Sequence, residues 1–438
     1  MQLVTLMALF LASASVIVIS FNGYFFVAIA ITVVFLAILV GITGFNRRRQ
    51  GDYIAALLAL GISSAYISLG LLGFFNAFIL NSDAYVYDQI AFSIASNISW
   101  HRQINPFDLA YVAELGLDYG VIKQPGFYKV SGFAYTVGQS IGVSELHVQI
   151  PAAINIIAFA VTGYAFHHLL RINLIDKKYR LFLLLSFISL PYFLELLVWF
   201  RKDILLLALC LVSLIAIQER KHWLILMVLL SIIGTIRVPQ ALLLFVIWVA
   251  YERCMREGRL FKLVLSKKGW MTFLIGLGST TMALLSVEFE IAVESFDALT
   301  RDRANASTGL SQILESNILG SALHAVLYPL PSLLPKSFEA VLNTLYAYLY
   351  WIFLVMVFFG IRKSRLKDIF ASTLWMATMI VLIGIALKTV IAWKVIGFNV
   401  IEARFKLFPH ASLVLLYGIM YARRMGASTE TSIDRVTH

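Results

Sequence analysis

Asn81-Ser82-Asp83-Ala84-Tyr85-Val86-Tyr87-Asp88-Gln89 opens the stretch that decides how this chain is read. It follows a long apolar run and begins a mixed segment that passes through Trp100, His101, Arg102, Asp108, Glu114, Asp118 and Lys123. The segment closes on Gln124-Pro125-Gly126-Phe127-Tyr128-Lys129. It is the first long break in an otherwise oily sequence, so acids, bases and aromatics are gathered at a membrane boundary. The remainder reads as a scaffold that holds this segment over a lipid-facing cavity.

Of the 438 residues 60% are hydrophobic and 13% charged, where an ordinary soluble domain carries about 25% charged residues. With a mean hydropathy of +0.86, the chain reads as a polytopic membrane protein. The net charge of +11 then belongs to cytoplasmic loops. Nucleic acid is excluded as a partner because no basic stripe with interleaved aromatics lies outside the apolar runs. Cys210 sits in an apolar run and Cys254 in a basic loop, which supports neither a disulfide framework nor a zinc site.

Apolar runs lie near 2–20, 24–44, 54–80, 149–170, 181–199, 204–218, 222–236, 238–251, 270–287, 338–361, 369–389 and 405–422. A spanning helix needs about 20 such residues, fewer among neighbours, so the expected fold is all-α and polytopic with about twelve transmembrane helices. Arg47-Arg48-Arg49, Arg171 with Lys177, Lys178 and Arg180, Arg220-Lys221, Arg253 to Lys268, Arg362 to Lys367 and Arg423-Arg424 hold most of the 35 lysines and arginines. All fall inside if the N-terminus is inside, which places both termini in the cytoplasm. Residues 1–53 read as an N-terminal transmembrane pair with a basic loop, 54–424 as the main membrane domain, and 425–438 as a disordered polar tail. Met1 to Ser20, with no basic start and no small-residue cleavage site, reads as a retained span. Loops 81–148 and 288–337 then face outward. Within the first, Tyr85 to Ile98 and Phe127 to Val143 read as interfacial helices on the outer leaflet.

Asp83 and Asp88 stand where an acid just outside a span can hold a divalent cation against a phosphate or take a proton from a sugar hydroxyl. Read as structure alone, Asp83 is a helix cap and Asp88 a solvated face residue. Arg201-Lys202-Asp203 and Arg237-Val238-Pro239 put positive charge at two outer turns, against the topology. A shared anion such as the phosphate of a lipid carrier would compensate it; the alternatives are a salt-bridged hairpin turn at Arg201-Lys202-Asp203, in which Asp203 caps the next helix, and an Arg237 that snorkels at its helix break. Arg301-Asp302-Arg303 suits an acidic sugar or phosphate, or a solvated loop. Asn399, Glu402, Arg404, Lys406 and His410 gather at the outer mouth of the last span, a border where ionisable residues are functional candidates. His147, His167, His168 and His222 have no metal-ligand spacing. Nucleotide-binding, nucleophile-elbow and zinc-protease patterns are missing.

Short motifs add a family resemblance. Asp83 is followed four residues on by Tyr87 and four further by Ala91. Gly126-Phe127-Tyr128 and the segment from Gly132 to Gly142 form an aromatic–glycine stretch. Pro191 leads to Lys202-Asp203, Arg237-Val238-Pro239 forms an Arg–Pro-like turn, and Arg404 precedes Pro409. On these residues the chain resembles the GT-C superfamily of polytopic glycosyltransferases, especially bacterial members that use polyprenyl-phosphate-linked sugars. The resemblance covers roughly residues 60–420. It departs from the family at Ala84, where a second acid is usual, and in placing the acid after the third apolar run rather than the first.

The resemblance implies an outward-facing active site in a bacterial plasma (inner) membrane protein, with the lipid-linked donor entering sideways from the bilayer. Asp83, with Asp88 in support, would act as general base on the acceptor hydroxyl, or Asp83 would hold Mg2+ or Mn2+ at the donor phosphate. Arg201, Lys202, Arg237 and Arg404 would stabilise the departing phosphate. Tyr87, Arg102, Lys123, Tyr128, Arg301 and Arg303 would belong to the substrate loops. The expected function is transfer of a sugar from a polyprenyl-phosphate carrier to a glycan or lipid acceptor in surface polysaccharide assembly. Its rivals are an oligosaccharide repeat-unit polymerase and a transporter or flippase of lipid-linked sugar.

Overall fold

A backbone in hydrocarbon has no water to bond to, so each apolar run must close its hydrogen bonds within itself, and the helix does so. The computed structural model describes residues 2–44, 49–73, 91–92, 95, 125–143, 146–173, 175–189, 196–197, 202–257, 322, 326–327, 338–364, 369–396 and 407–434. Among these, the regular elements are twelve α-helices: α1 (Gln2–Phe21), α2 (Phe25–Gly44), α3 (Gln50–Leu71), α4 (Pro125–Ser140), α5 (Leu146–Ile172), α6 (Lys177–Ile188), α7 (Asp203–Gln218), α8 (Trp223–Ile236), α9 (Val238–Glu257), α10 (Phe338–Ser364), α11 (Ile369–Ile396) and α12 (Leu407–Asp434). Five segments, Val4–Phe21, Phe25–Gly44, Gln50–Leu71, Gln149–Ile172 and Phe370–Leu387, are long and apolar enough to cross a membrane. Asp203–Gln218, Trp223–Ile236, Thr344–Gly360 and Leu407–Ala422 are shorter apolar helices. This is the architecture of an α-helical membrane protein. The apolar run at 270–287 and most of the two long loops lie outside the described residues.

Two boundaries differ from the sequence expectation. The run at 181–199 does not form one helix from 181 onward: α6 begins at Lys177, where the Asp176 carboxylate accepts the Lys178 amide at 2.9 Å, an N-cap. It ends at Ile188, with Pro191 just beyond in the sequence, and the residue before a proline is disfavoured in a helix. α12 continues through the polar residues after Met425 to Asp434 instead of ending in a disordered tail. Extending an existing helix avoids the nucleation cost that makes short polar helices unfavourable.

The chain forms two compact units. The first comprises Met1–Leu169, Leu184–Ile215 and Ser231–Arg237; the second comprises Leu170–Leu183, Ala216–Leu230 and Val238–His438. In the first, α3 is the central helix, with α1 and α2 packed on it. Buried residues make up 67% of the α3 span and 78% of the α5 span but only 22% of α1, so α1 presents most of its surface outward. Small residues allow the close approaches. A Cβ on Gly61 would lie 2.9 Å from the Ala8 carbonyl oxygen. One on Gly163 of α5 would lie 2.6 Å from Ala59 Cβ and 2.9 Å from the Ala55 carbonyl oxygen of α3. Dispersion between closely approached backbones drives helix association in lipid, where burying apolar surface brings no gain.

Polar side chains tie these helices at their ends. Gly23, at φ +82°, turns the chain between α1 and α2, a left-handed conformation suited to glycine. The Phe26 amide in the first turn of α2 donates to Gln149 Oε1 at 2.7 Å, satisfying a donor that has no intrahelical partner. Asn155 Nδ2 donates to the carbonyls of Leu196 and Leu197 at 3.1 and 3.4 Å.

In the second unit α12 packs against α10 and α11, and α9 against α11. Asn173 and Gln218 exchange side-chain amide hydrogen bonds at 3.1 and 2.8 Å. Trp351 Nε1 donates to the Leu327 carbonyl at 2.6 Å, and the Tyr350 hydroxyl to that of Val326 at 3.2 Å.

The packing of α3 on α5 predicts that Gly163→Ala lowers stability by about 1–3 kcal/mol, the range for overpacking a filled site. Gly44→Ala, whose Cβ would meet nothing closer than 4.0 Å, serves as control and changes little. Thermal unfolding of the purified protein in detergent measures the difference, and equal midpoints for the two variants would contradict the packing.

Candidate functional site

The first unit gathers part of the expected phosphate-binding set. α7 starts where the Lys202 carbonyl accepts the Leu206 amide at 2.9 Å, so Lys202 is the cap residue and Asp203 the first helical one. An acid in a first turn is favoured by the free amides there. Asp203 also receives Arg237, whose Nη1 lies 3.5 Å from Asp203 Oδ1. Arg237 follows the C-terminal end of α8, where its amide closes on the Ile233 carbonyl at 2.6 Å and a cation is favoured. Lys202 is 5% exposed, Asp203 4%, and the Arg237 side chain 11%. Three ionisable groups, two cations and one carboxylate, are therefore withdrawn from water together.

α4 reaches the same place. Gly126 lies against Thr235: a Cβ on Gly126 would stand 2.8 Å from Thr235 Cβ and 3.1 Å from its carbonyl carbon. Only glycine permits that approach, which brings the N-terminal end of α4 to the end of α8 that carries Arg237. Tyr128, one of the expected substrate-loop residues, is buried two positions further along α4. The assembly thus combines a lysine, an arginine and the positive ends of two helices. Each of these is a device for holding an anion. Burying an ion pair gains little net stability, so the groups define geometry more than they hold the fold together.

Of the expected site residues, Lys202, Arg237 and Tyr128 are described; Arg237 faces Asp203, and the buried Lys202 precedes Asp203 in the chain. Asp83, Asp88, Tyr87, Arg102, Lys123, Arg201, Arg301, Arg303 and Arg404 lie outside the described residues, and with them the expected metal position at Asp83. Among the described residues no group of three His, Cys, Asp or Glu is set to hold a metal ion. His410, expected at an outer mouth, is fully buried in the second unit. Tyr346, Tyr350 and Phe353 surround it with ring centroids 5.5, 6.0 and 5.9 Å away. Neither of its ring nitrogens has a hydrogen-bond partner among the described residues.

A second polar cluster was not anticipated. Asp52, in the first turn of α3, is 0% exposed. It accepts from His167 Nδ1 at 2.7 Å on one oxygen and from His168 Nδ1 at 2.9 Å on the other. Both histidines belong to the end of α5. An ionised carboxylate can only accept, so both Nδ1 atoms carry hydrogen. The helix termini reinforce the arrangement, an acid at the start of α3 and bases at the end of α5. Tyr164 stacks on His168 at 6.0 Å and meets Tyr53 edge-on at 5.3 Å. Gly51 leaves room for the His167 ring, since a Cβ there would stand 3.0 Å from Cε1. The cluster locks the start of α3 to the end of α5. The sequence signal was the His167-His168 pair inside an apolar run.

No family model matches this sequence, and no curated protein or solved structure is detectably similar to it.

Asp52→Ala should cost about 3 kcal/mol or more, because two charge-assisted hydrogen bonds to buried imidazoles are lost. Replacing all three groups with apolar residues (Asp52→Leu, His167→Phe, His168→Phe) should recover much of that loss. Denaturant unfolding tests both, and additive losses across the set would contradict the lock. His410→Phe, which removes a polar group lacking a partner while keeping the ring, should leave the melting temperature unchanged or raised; a clear fall would reveal a partner for His410.

Proposed function

We propose that this chain is a membrane glycosyltransferase. It moves a sugar from a polyprenyl-phosphate carrier to a glycan or lipid acceptor on the outer face of a bacterial plasma membrane, in surface polysaccharide assembly. The observation that carries this reading is the buried Arg237–Asp203 ion pair, with the buried Lys202 next to Asp203 in the chain, beside the N-terminal ends of α4 and α7. Arginine and lysine at buried positions are groups suited to gripping a phosphate. In an apolar setting the anion that arrives by diffusion in the bilayer is a lipid phosphate. Negative charge grows on that phosphate as the sugar leaves, and fixed cations in a dry site stabilise it more than water does.

In this mechanism Arg237 grips the phosphate through its planar fork and Lys202 supplies a point charge. Asp203 holds the guanidinium in place between turnovers. Asp83 takes the proton from the acceptor hydroxyl as the bond to the sugar forms, or would instead be the residue that holds a divalent cation, which would supply Lewis acidity at the donor phosphate.

A second reading, a transporter or flippase of lipid-linked sugar, draws on the buried Asp52–His167–His168 cluster. Ionisable groups inside a membrane body are typical of translocation pathways. Against it, Asp52 lies in the first turn of its helix rather than mid-span.

Reconstituted vesicles with a polyprenyl-phosphate sugar separate these readings. Arg237→Gln should lower the transfer rate by about 10²- to 10³-fold, the cost of removing one charge-stabilising donor, and Asp83→Asn should abolish transfer. Full transfer in both variants with loss at Arg301 or Arg303 would point to the repeat-unit polymerase. Translocation of the sugar without any transfer would point to the flippase.

A further inference from the structure

The second unit contains a cavity of about 280 Å³ between α6 and α12, lined among others by Lys178, Tyr179, Phe182, Tyr417 and Tyr421. Its size is at the lower end of small-ligand pockets, about 300 to 1,000 Å³, and suits a slender occupant. Apart from Lys178 and the tyrosine hydroxyls, the lining is hydrocarbon and aromatic ring. Tyr179 and Tyr421 close one side: their hydroxyls hydrogen-bond to each other and their rings lie 4.4 Å apart. Tyr417 continues the wall beside Tyr421 at 6.3 Å. The cavity lies at the surface of the unit, since Phe182 is 60% exposed and Tyr179 38%.

Charge is concentrated at the same end. Lys177, Lys178 and Arg180 occupy the first turn of α6, and Arg423 and Arg424 follow Tyr421 by two and three positions. The tyrosine pair therefore brings together two basic segments that are remote in sequence. Asp176 is the one acid in these segments, and it is engaged in capping α6 through the Lys178 amide. Lys178 lining an apolar slot, in a chain segment rich in basic residues, matches an anionic headgroup above a hydrocarbon chain. Tyrosines at that junction match the aromatic belt of a membrane interface.

We propose that this cavity binds an anionic phospholipid, with one acyl chain between α6 and α12 and the phosphate on the Lys178 ammonium. The site is separate from the sugar-transfer reading and stands without it. Lys178 acts as a point charge on the phosphate, and the neighbouring basic residues raise the local concentration of anionic lipid. Gly418 adjoins the slot: a Cβ there would stand 2.7 Å from Leu183 Cδ1 and 2.8 Å from Ile175 Cδ1, two side chains that also line it. Any side chain at 418 must displace those methyl groups and change the space left for an acyl chain.

The test is native mass spectrometry and thermal unfolding of the full chain in detergent, titrated with phosphatidylglycerol, phosphatidylcholine or soluble glycerol phosphate. The wild type should retain phosphatidylglycerol and be stabilised by it. Phosphatidylcholine should act more weakly and glycerol phosphate not at all. Lys178→Gln, a change at an exposed position, should weaken phosphatidylglycerol binding about fivefold, the worth of one lysine near an anionic lipid surface, and should reduce the preference over phosphatidylcholine. Gly418→Ala should weaken both lipids alike. Equal retention of the two lipids by the wild type, stabilisation by glycerol phosphate alone, or unchanged binding in folded Lys178→Gln would each overturn the proposal.

Discussion

An ionisable side chain drawn into an apolar body must find a counter-charge or a hydrogen-bond partner there, because water is not available to solvate it. That constraint shapes the described part of this protein. Asp52 is enclosed at the start of α3, and two imidazoles from α5 each take one of its oxygens. Asp203 is enclosed at the start of α7, and Arg237 from the end of α8 faces it. In both places an acid in a first helical turn meets bases at the end of another helix, so the helix dipoles and the side-chain charges favour the same arrangement. Helices that lie side by side through glycine and alanine are thereby fixed in register at their ends.

The two clusters differ in what they leave over. Asp52 engages two imidazoles through their Nδ1 atoms and ties α3 to α5, so its effect is mainly on the fold. The Asp203 cluster pairs the carboxylate with Arg237, has the buried Lys202 next to it in the chain, and adds the N-terminal ends of α4 and α7. These groups lie in a dry setting, where charge–charge interactions are strong. Under the proposed function, the phosphate of a lipid-linked donor would reach this place through the bilayer. Lys178 differs again, since it stays at the surface beside an apolar slot, where the stem of such a residue can lie against hydrocarbon.

Much of the helical layout was legible because apolar run length reports directly on helices that must satisfy their own backbone. The starts of α7 and α8 and the turn at Arg237 came within a residue or two of the expectation. The sequence left a phosphate clamp or a local salt-bridged turn open at Arg201-Lys202-Asp203, and a shared anion or a snorkelling side chain at Arg237; the salt bridge from Arg237 to Asp203 was among none of these. The Asp52 cluster was not legible. Asp52 follows Arg47-Arg48-Arg49 closely and reads as part of a solvated basic loop, while its partners lie 115 and 116 positions away. No periodicity links such residues, and only the approach of α3 to α5 at Gly163 brings them together. The extent of α12 was missed for another reason: the polar composition after Met425 suggests disorder, but a helix already formed extends cheaply. Asp83, Arg201 and Arg404 fall outside the described residues, so the acid of the resemblance rests on its motif alone.

The most direct measurement is a structure of the full chain in lipid with a polyprenyl phosphate bound, refined well enough to locate the phosphorus. The account predicts the phosphate oxygens within about 3 Å of the Arg237 guanidinium and the Lys202 ammonium, the distance of charge-assisted hydrogen bonds. A phosphate seated elsewhere, with Arg237 and Lys202 occupied only by Asp203 and other protein groups, would contradict it.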